Sequence, residues 1–156
     1  MAAKQNIIII GGGYGGITVA TKLESALHKT HQIILIERKT YFYHSVGSLR
    51  AVVEDGFENK IMIPYNKLFK HGGKVVHATV TAIDEKEVTV STETELGTHI
   101  PFAFLIIATG SNYPKPGKLT AENKEEGVID LVTQRNALKN AKKILIMGGG
   151  PVGIGT

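Results

Sequence analysis

Two glycine runs carry the clearest chemical signal in this chain of 156 residues. The first satisfies the spacing G-x-G-x-x-G over six consecutive residues: Gly11, Gly12, Gly13, Tyr14, Gly15 and Gly16. In such a loop the first glycine permits a tight turn, the second lets a phosphate approach the backbone, and the third lets the next helix pack closely. The spacing therefore predicts a phosphate-binding loop.

A carboxylate follows this loop at the spacing that ribose recognition needs. Glu37 comes 21 positions after Gly16. A carboxylate there accepts hydrogen bonds from both ribose hydroxyls and repels a 2′-phosphate, which favours FAD or NAD over NADP. Arg38 beside it weakens that preference. A glycine-rich turn without a ligand is the alternative for a bare motif, but strand, helix and acid together favour nucleotide binding.

The second glycine run repeats the pattern near the end of the chain. It has G-x-G-x-x-G at Gly148, Gly150 and Gly153, after a predicted strand at residues 143–147 that is apolar from Ile144 on. Two such loops predict two nucleotide sites. Because the sequence reaches Thr156 before a helix and second strand complete this unit, we expect the N-terminal part of a longer two-nucleotide protein, or a truncated product of one.

The elements around the first loop follow from residue type. Four consecutive isoleucines make residues 6–10 a strand buried on both faces, residues 14–27 have helical spacing, and residues 32–36 form a second strand. Residues 38–69 lack a sustained period, which predicts a loop with short helices. Within it, Arg50 lies among apolar residues, where it either meets an anion or is an exposed surface arginine.

The middle of the chain predicts a small antiparallel meander. Its strands are residues 74–83, 87–91 and 99–102, which are rich in valine and threonine or lie between polar turns. Another buried strand, residues 104–108, ends in a turn made of Ala108, Thr109 and Gly110.

A polar, proline-containing linker over residues 112–127 and a helix over residues 130–141 complete the pattern. The fold predicted is α/β: a Rossmann-like, three-layer domain with a meander insertion, plus the first strand and loop of a second Rossmann-like unit. We assign residues 1–127 to the first domain. Residues 128–156 form a linker helix and the start of the second.

Composition excludes several other classes of protein. The chain has no cysteine, which rules out a disulfide, a zinc-thiolate site and a redox dithiol within it. Its net charge of +4 comes from dispersed lysines without stacking aromatics, which disfavours nucleic-acid binding. No apolar run approaches the length of a membrane span. We identify no metal site and no catalytic side chain.

Five segments together resemble the two-dinucleotide-domain flavoprotein oxidoreductases, and within them the ferroptosis-suppressor flavoproteins, also called apoptosis-inducing factor homologues. They read IIIIGGGYGGI, SVGSLRAVVEDGF, TAID, FLIIATGS and ILIMGGGPVGI. The resemblance implies FAD in the first site, with its pyrophosphate over the loop, its ribose on Glu37, Arg50 near the cofactor and Val80 near the adenine. It implies NAD(P)H in the second site, hydride transfer to the flavin and electron delivery to a quinone-type acceptor.

The resemblance also has departures. Gly155 stands where the family usually has a glutamate, and the remainder of the nicotinamide domain is absent, so we expect little or no turnover from these residues alone. The alternatives are a non-catalytic nucleotide-binding module, an enzyme similar to type II NADH dehydrogenases, and a single-nucleotide NAD dehydrogenase. We expect the protein to be located in the cytoplasm, with peripheral association of the full-length protein with membranes or lipid droplets.

Overall fold

The computed structural model describes residues 4–154 and divides the chain into two compact units. The first unit comprises Met1–Thr40 and Pro64–Ser111, and the second comprises Tyr41–Ile63 and Asn112–Thr156. The predicted division into domains at residue 127 stays a prediction.

The helices and strands follow one another along the chain. They are β1 Gln5–Ile10, α1 Tyr14–Leu27, β2 His31–Ile36, β3 Tyr41–Tyr43, α2 Ser48–Ala51, α3 Glu58–Ile61, β4 Met62–Pro64, β5 Lys74–Val76, β6 Val80–Ile83, β7 Glu87–Val90, β8 His99–Pro101, β9 Phe104–Ile107, α4 Lys124–Asn140 and α5 Pro151–Ile154. Short 3₁₀ turns lie at Ser45–Gly47 and Tyr65–Lys67.

A four-stranded parallel sheet in the order β5-β2-β1-β9 forms the centre of the first unit. One of its two central strands is β1, whose four isoleucines are all buried, as the β-branched run predicts. Successive side chains of a strand point to opposite faces, so Ile8 and Ile10 face one layer while Ile7 and Ile9 face the other. The helix α1 packs against β1 and β2.

Besides helix α1 and the parallel sheet, this unit has a third layer, the antiparallel meander β6-β7-β8. Val88, Val90 and Ile100 of the meander form one buried cluster with Ile8 and Ile10 of the sheet. The predicted three-layer α/β fold with its meander insertion is therefore confirmed.

One predicted strand of the meander was wrong. Residues 74–83 form two strands, because Lys74–Val76 pairs in parallel with β2 whereas Val80–Ile83 pairs with β7. Both segments have the same β-forming composition, and only the choice of partner separates them. That choice depends on tertiary packing and leaves no local pattern in the sequence.

Helix α1 carries a buried carboxylate, that of Glu24. The Glu24 side chain accepts hydrogen bonds from the backbone N–H groups of Lys70, His71 and Gly73, each at 2.9 Å. Burial by itself raises the pKa of Glu24, but the three hydrogen bonds outweigh it, so the pKa lies below its usual value. The carboxylate thus fixes the turn that leads into β5.

Replacing Glu24 with glutamine should lower the free energy of unfolding at pH 7 by about 1–3 kcal/mol, since a charged acceptor of three backbone N–H groups is lost. The pKa is lower in the folded state, so this contribution is present above about pH 4.3, the unfolded value, and is lost as the pH falls through the folded value. Urea titrations at pH 7 and pH 3.5 should show a smaller pH effect in the variant. An equal effect, or an equal loss in the exposed control Glu93→Gln, would contradict this role.

The second unit has its own core. It contains the two-stranded sheet β3-β4, and its buried residues are Tyr41, Ala51, Val52, Ile61, Met62, Leu119 and Leu131. The last two come from the segment after residue 112. This unit therefore joins two distant parts of the chain around one apolar cluster.

Helix α4 begins six residues before the predicted start at residue 130 and ends one residue before the predicted end. The side chain of Asn123 caps it by accepting a hydrogen bond from the N–H of Glu126 at 2.9 Å. Glycine is unfavourable inside a helix, but the packing requires one at Gly127. A Cβ there would come within 2.8 Å of the Tyr41 hydroxyl oxygen. The glycine lets the helix approach the core.

Helix α4 also brings a buried cation to this unit. The guanidinium of Arg135 lies 2.8 Å from a carboxylate oxygen of Glu58, and both side chains are buried. Arg135 also donates to the carbonyl oxygen of Glu54 at 2.7 Å and pairs with Asp55 at 3.0 Å. The two parts of the second unit are thus joined by a hydrogen-bonded ion pair.

The predicted strand before the second glycine run was wrong. Residues 143–149 belong to no strand, and Ile144, Leu145, Ile146 and Met147 are exposed. A strand is defined by pairing with a neighbour, and the apolar composition alone does not supply one. No helix within residues 4–154 is long and apolar enough to cross a membrane.

Candidate dinucleotide-binding site

The first glycine loop is held between two strands of the parallel sheet. Gly11 has a φ of 101° and donates its N–H to the carbonyl oxygen of Ile36 in β2 at 2.8 Å. On its other side, a Cβ at Gly11 would collide with the carbonyl oxygen of Ala108, at the end of β9. Both the backbone conformation and the lack of space require glycine here.

The remaining glycines of the motif divide into two groups. A Cβ at Gly16 would collide with the carbonyl oxygen of Gly11, so this glycine allows α1 to approach the loop. A Cβ at Gly13 or at Gly15 would meet no atom within 4 Å. The fold has no need of glycine at these two positions, but a ligand that lies against the backbone would.

The N-terminus of α1 begins at this open part of the loop. Gly13 is the N-cap residue and has no side chain to cap the helix, and no acidic residue lies in the first turn, which Tyr14 opens. The helix dipole and the first N–H groups therefore favour an anion at this end. A pyrophosphate fits both the charge and the open space.

Glu37 lies at the tip of β2, as predicted, and its carboxylate is fixed from two sides. One oxygen accepts a hydrogen bond from the N–H of Gly12 at 2.6 Å, and the other accepts from the N–H of Lys39 at 3.0 Å. Arg38 is exposed. The half-buried carboxylate is therefore oriented beside the loop, where the ribose of a dinucleotide would lie.

The structure brings some of the other candidate residues of the first unit to this site. Ala108 donates its N–H to Ile10 at 2.8 Å, and the exposed Thr109 and Gly110 continue from it. Val80 is half-buried against the cluster between the sheet and the meander. A cofactor role for these residues stays a prediction.

Arg50 belongs to the second compact unit. It is exposed, lies 2.5 Å from a carboxylate oxygen of Glu54, and its guanidinium stands 4.6 Å from the ring centroid of Phe57. These contacts match the alternative of a surface arginine, and its role near a cofactor stays a prediction.

Tyr65 is a residue of this site that the sequence analysis did not identify. Its side chain is 5% exposed, and its hydroxyl donates a hydrogen bond to the carbonyl oxygen of Gly12 at 2.7 Å. A Cβ on Gly12 would collide with that hydroxyl and would come within 3.0 Å of Glu37. Gly12 is thus required by two side chains of the protein itself.

The second glycine run repeats the backbone features of the first. Gly148 has a φ of 110°, a Cβ at Gly153 would collide with the carbonyl oxygen of Gly148, and a Cβ at Gly150 would meet no atom within 4 Å. The N–H of Ile154 bonds to the carbonyl oxygen of Gly150 at 3.0 Å. Gly155, the departure from the resembling flavoproteins noted in the sequence, lies outside the described residues.

The sequence from residue 5 to residue 156 matches the family model described as pyridine nucleotide-disulphide oxidoreductase. The chain belongs to this family. The resemblance inferred from the five segments is therefore confirmed. Membership in the family agrees with the loop, the acid and the parallel sheet in one unit.

Individual relatives in this family support the same conclusion. The chain is 44% identical over 151 residues to apoptosis-inducing factor homolog B of Dictyostelium discoideum, and 35% identical over 153 residues to human ferroptosis suppressor protein 1. Each match covers 96% of this chain, which spans 37% and 38% of the length of those relatives. The sulfide:quinone oxidoreductase of Aquifex aeolicus shares the fold, with a TM-score of 0.63 and 22% identity over 88% of this chain and 33% of its own.

Replacing Glu37 with glutamine should weaken ADP binding about tenfold, since hydrogen bonds from ribose hydroxyls to a charged acceptor become weaker. The variant should also discriminate less against ADP that carries a 2′-phosphate, because the repelling charge is gone. Titration calorimetry with both nucleotides measures the ratio. The exposed Glu93→Gln variant should bind as the wild type does, and an unchanged ratio in Glu37→Gln would remove Glu37 from the ribose site.

Proposed function

We propose that this chain binds FAD at the first glycine loop and serves an oxidoreductase that passes a hydride from NAD(P)H to the flavin and electrons onward to a quinone-type acceptor. The observation that supports this most is the pair Gly13 and Gly15, where a Cβ would meet only open space beside the N-terminus of α1. Membership in the family gives the class of reaction. The acceptor class rests on the resemblance to the ferroptosis-suppressor flavoproteins.

The residues of the chain would bind and orient the cofactor. The loop and the first turn of α1 would hold the pyrophosphate, and Glu37 would hold the ribose. Val80, and the turn formed by Ala108, Thr109 and Gly110, would border the cofactor. When bound, FAD supplies the redox chemistry by accepting a hydride and passing electrons on.

The second loop would receive NAD(P)H in the same way. Gly148 has the backbone conformation of the turn, and Gly150 has the open space that a pyrophosphate requires. The electron acceptor and the nicotinamide partner belong to the activity of the whole protein, which this chain spans only in part.

An FAD titration of the purified chain tests the proposal. Flavin fluorescence should change with saturation at one equivalent. NADH or NADPH should then reduce the bound flavin only slowly without oxygen, since we expect little turnover from these residues alone, and the signal is the loss of absorbance near 450 nm. A soluble quinone analogue should restore that absorbance. The absence of flavin binding by a folded chain would refute the assignment of the first site.

A non-catalytic nucleotide-binding role is the second candidate, and one observation favours it. The apolar residues before the second loop belong to no strand, so the support that β1 gives to the first loop is missing at the second. In this case the chain would bind FAD or ADP at the first loop, and NADH would leave the bound flavin oxidised. Any reduction of the bound flavin by NADH would exclude this candidate.

A further inference from the structure

Tyr65 contacts the phosphate loop from a distant part of the sequence. It stands 53 positions after Gly12 and opens a 3₁₀ turn, and its hydroxyl donates to the carbonyl oxygen of Gly12 at 2.7 Å. The ring is buried, so this hydrogen bond is shielded from water and its geometry is well defined. Tyr65 therefore fixes the plane of the peptide between Gly12 and Gly13.

The direction of that peptide decides where the next N–H points. The peptide is trans, so its carbonyl and its N–H point in opposite directions. Because the carbonyl of Gly12 points at the buried hydroxyl of Tyr65, the N–H of Gly13 points away from the interior. The N–H of Gly12 is fixed separately by Glu37 at 2.6 Å.

We propose that Tyr65 is a positioning residue of the dinucleotide site, which holds the N–H of Gly13 toward the pyrophosphate of the ligand. The proposal rests on the proposed function, because it takes the first loop as the site of an adenine dinucleotide. It assigns different tasks to the two side chains beside Gly12. Glu37 recognises the ribose, whereas Tyr65 acts on the phosphates through the backbone.

The Tyr65→Phe variant keeps the buried ring and removes the hydroxyl. It should weaken ADP binding about tenfold and leave adenosine binding unchanged, since only ADP carries the pyrophosphate. The measured quantity is the ratio of the two affinities by titration calorimetry. A purely structural role would weaken both ligands equally and leave the ratio as in the wild type, which would overturn the proposal.

Tyr41→Phe is the matched control. Tyr41 is also buried, and its hydroxyl also donates to a backbone carbonyl, that of Ala121 at 2.9 Å in the second unit. It should lose stability in the way that Tyr65→Phe does, with the ratio of ADP to adenosine affinity unchanged. A ratio that falls equally in both variants would also overturn the proposal.

A measurement on the unmodified protein tests the same point if Tyr65→Phe does not fold. The amide signal of Gly13 in a ¹⁵N-labelled sample should shift on addition of ADP and remain in place with adenosine. Equal shifts with both ligands would overturn the positioning role. Failure of the wild type to bind either ligand would instead refute the proposed function, so the two failures are distinguishable.

Discussion

Replacing Gly13 with alanine is expected to lower FAD affinity by at least about 100-fold while the chain remains folded. The added methyl would stand where the pyrophosphate approaches the backbone. The protein itself tolerates the change, because a Cβ there meets no atom within 4 Å and the φ of −74° suits an L residue. Flavin fluorescence titration gives the affinity, and urea unfolding gives the stability.

The Gly16→Ala variant provides the contrast to this result. Its methyl would collide with the carbonyl oxygen of Gly11, a backbone atom that cannot move freely, so this variant should lose stability as well as flavin. The two glycines of one motif thus separate ligand binding from folding. If Gly13→Ala bound FAD as tightly as the wild type does, the pyrophosphate could not lie against the backbone at Gly13.

Replacing Arg135 with methionine should lower the free energy of unfolding by about 3–5 kcal/mol. The variant leaves the buried carboxylate of Glu58 and the carbonyl of Glu54 without the guanidinium. Guanidinium chloride unfolding measures the loss. The effect arises from an uncompensated buried charge, and removing that charge as well should reverse most of it.

Two further variants test this explanation. The double variant Arg135→Met with Glu58→Leu should recover most of the lost stability, because it leaves no unpaired charge. Lys139→Met breaks an exposed pair with Asp55 at 3.3 Å and should cost less than about 1 kcal/mol. A double variant as unstable as the single one would show that the loss comes from packing.

The geometry of the first glycine loop and the place of Glu37 beside it could be predicted from the sequence because their signals are local. The spacing from Gly11 to Gly16, the isoleucine run before it and Glu37 after it all lie within one β-α-β unit. Each also has a distinct physical task. The second loop was predicted for the same reason, since its turn depends on its own glycines. The strand before it was not, since a strand also needs a partner.

The parts that sequence analysis missed depend on contacts between distant residues. Lys74–Val76 joins β2 rather than the meander, and its composition is the same in either place. Tyr65 belongs to the site through a hydrogen bond to the carbonyl oxygen of Gly12. Every residue has a backbone carbonyl, so the sequence does not indicate which one the tyrosine contacts. Only the start of α4 had a local signal that was overlooked, the capping side chain of Asn123 three positions before Glu126.

The contact between Ala108 and the first loop has a consequence for the order of folding. Gly11 is synthesised before β9, the strand next to which it lies, because β9 comes about a hundred positions later in the chain, and contacts between such distant residues form late. We therefore expect the loop to reach its final conformation only after β9 has left the ribosome. A nascent chain is thus expected to form the proposed nucleotide site only after β9 has paired with β1.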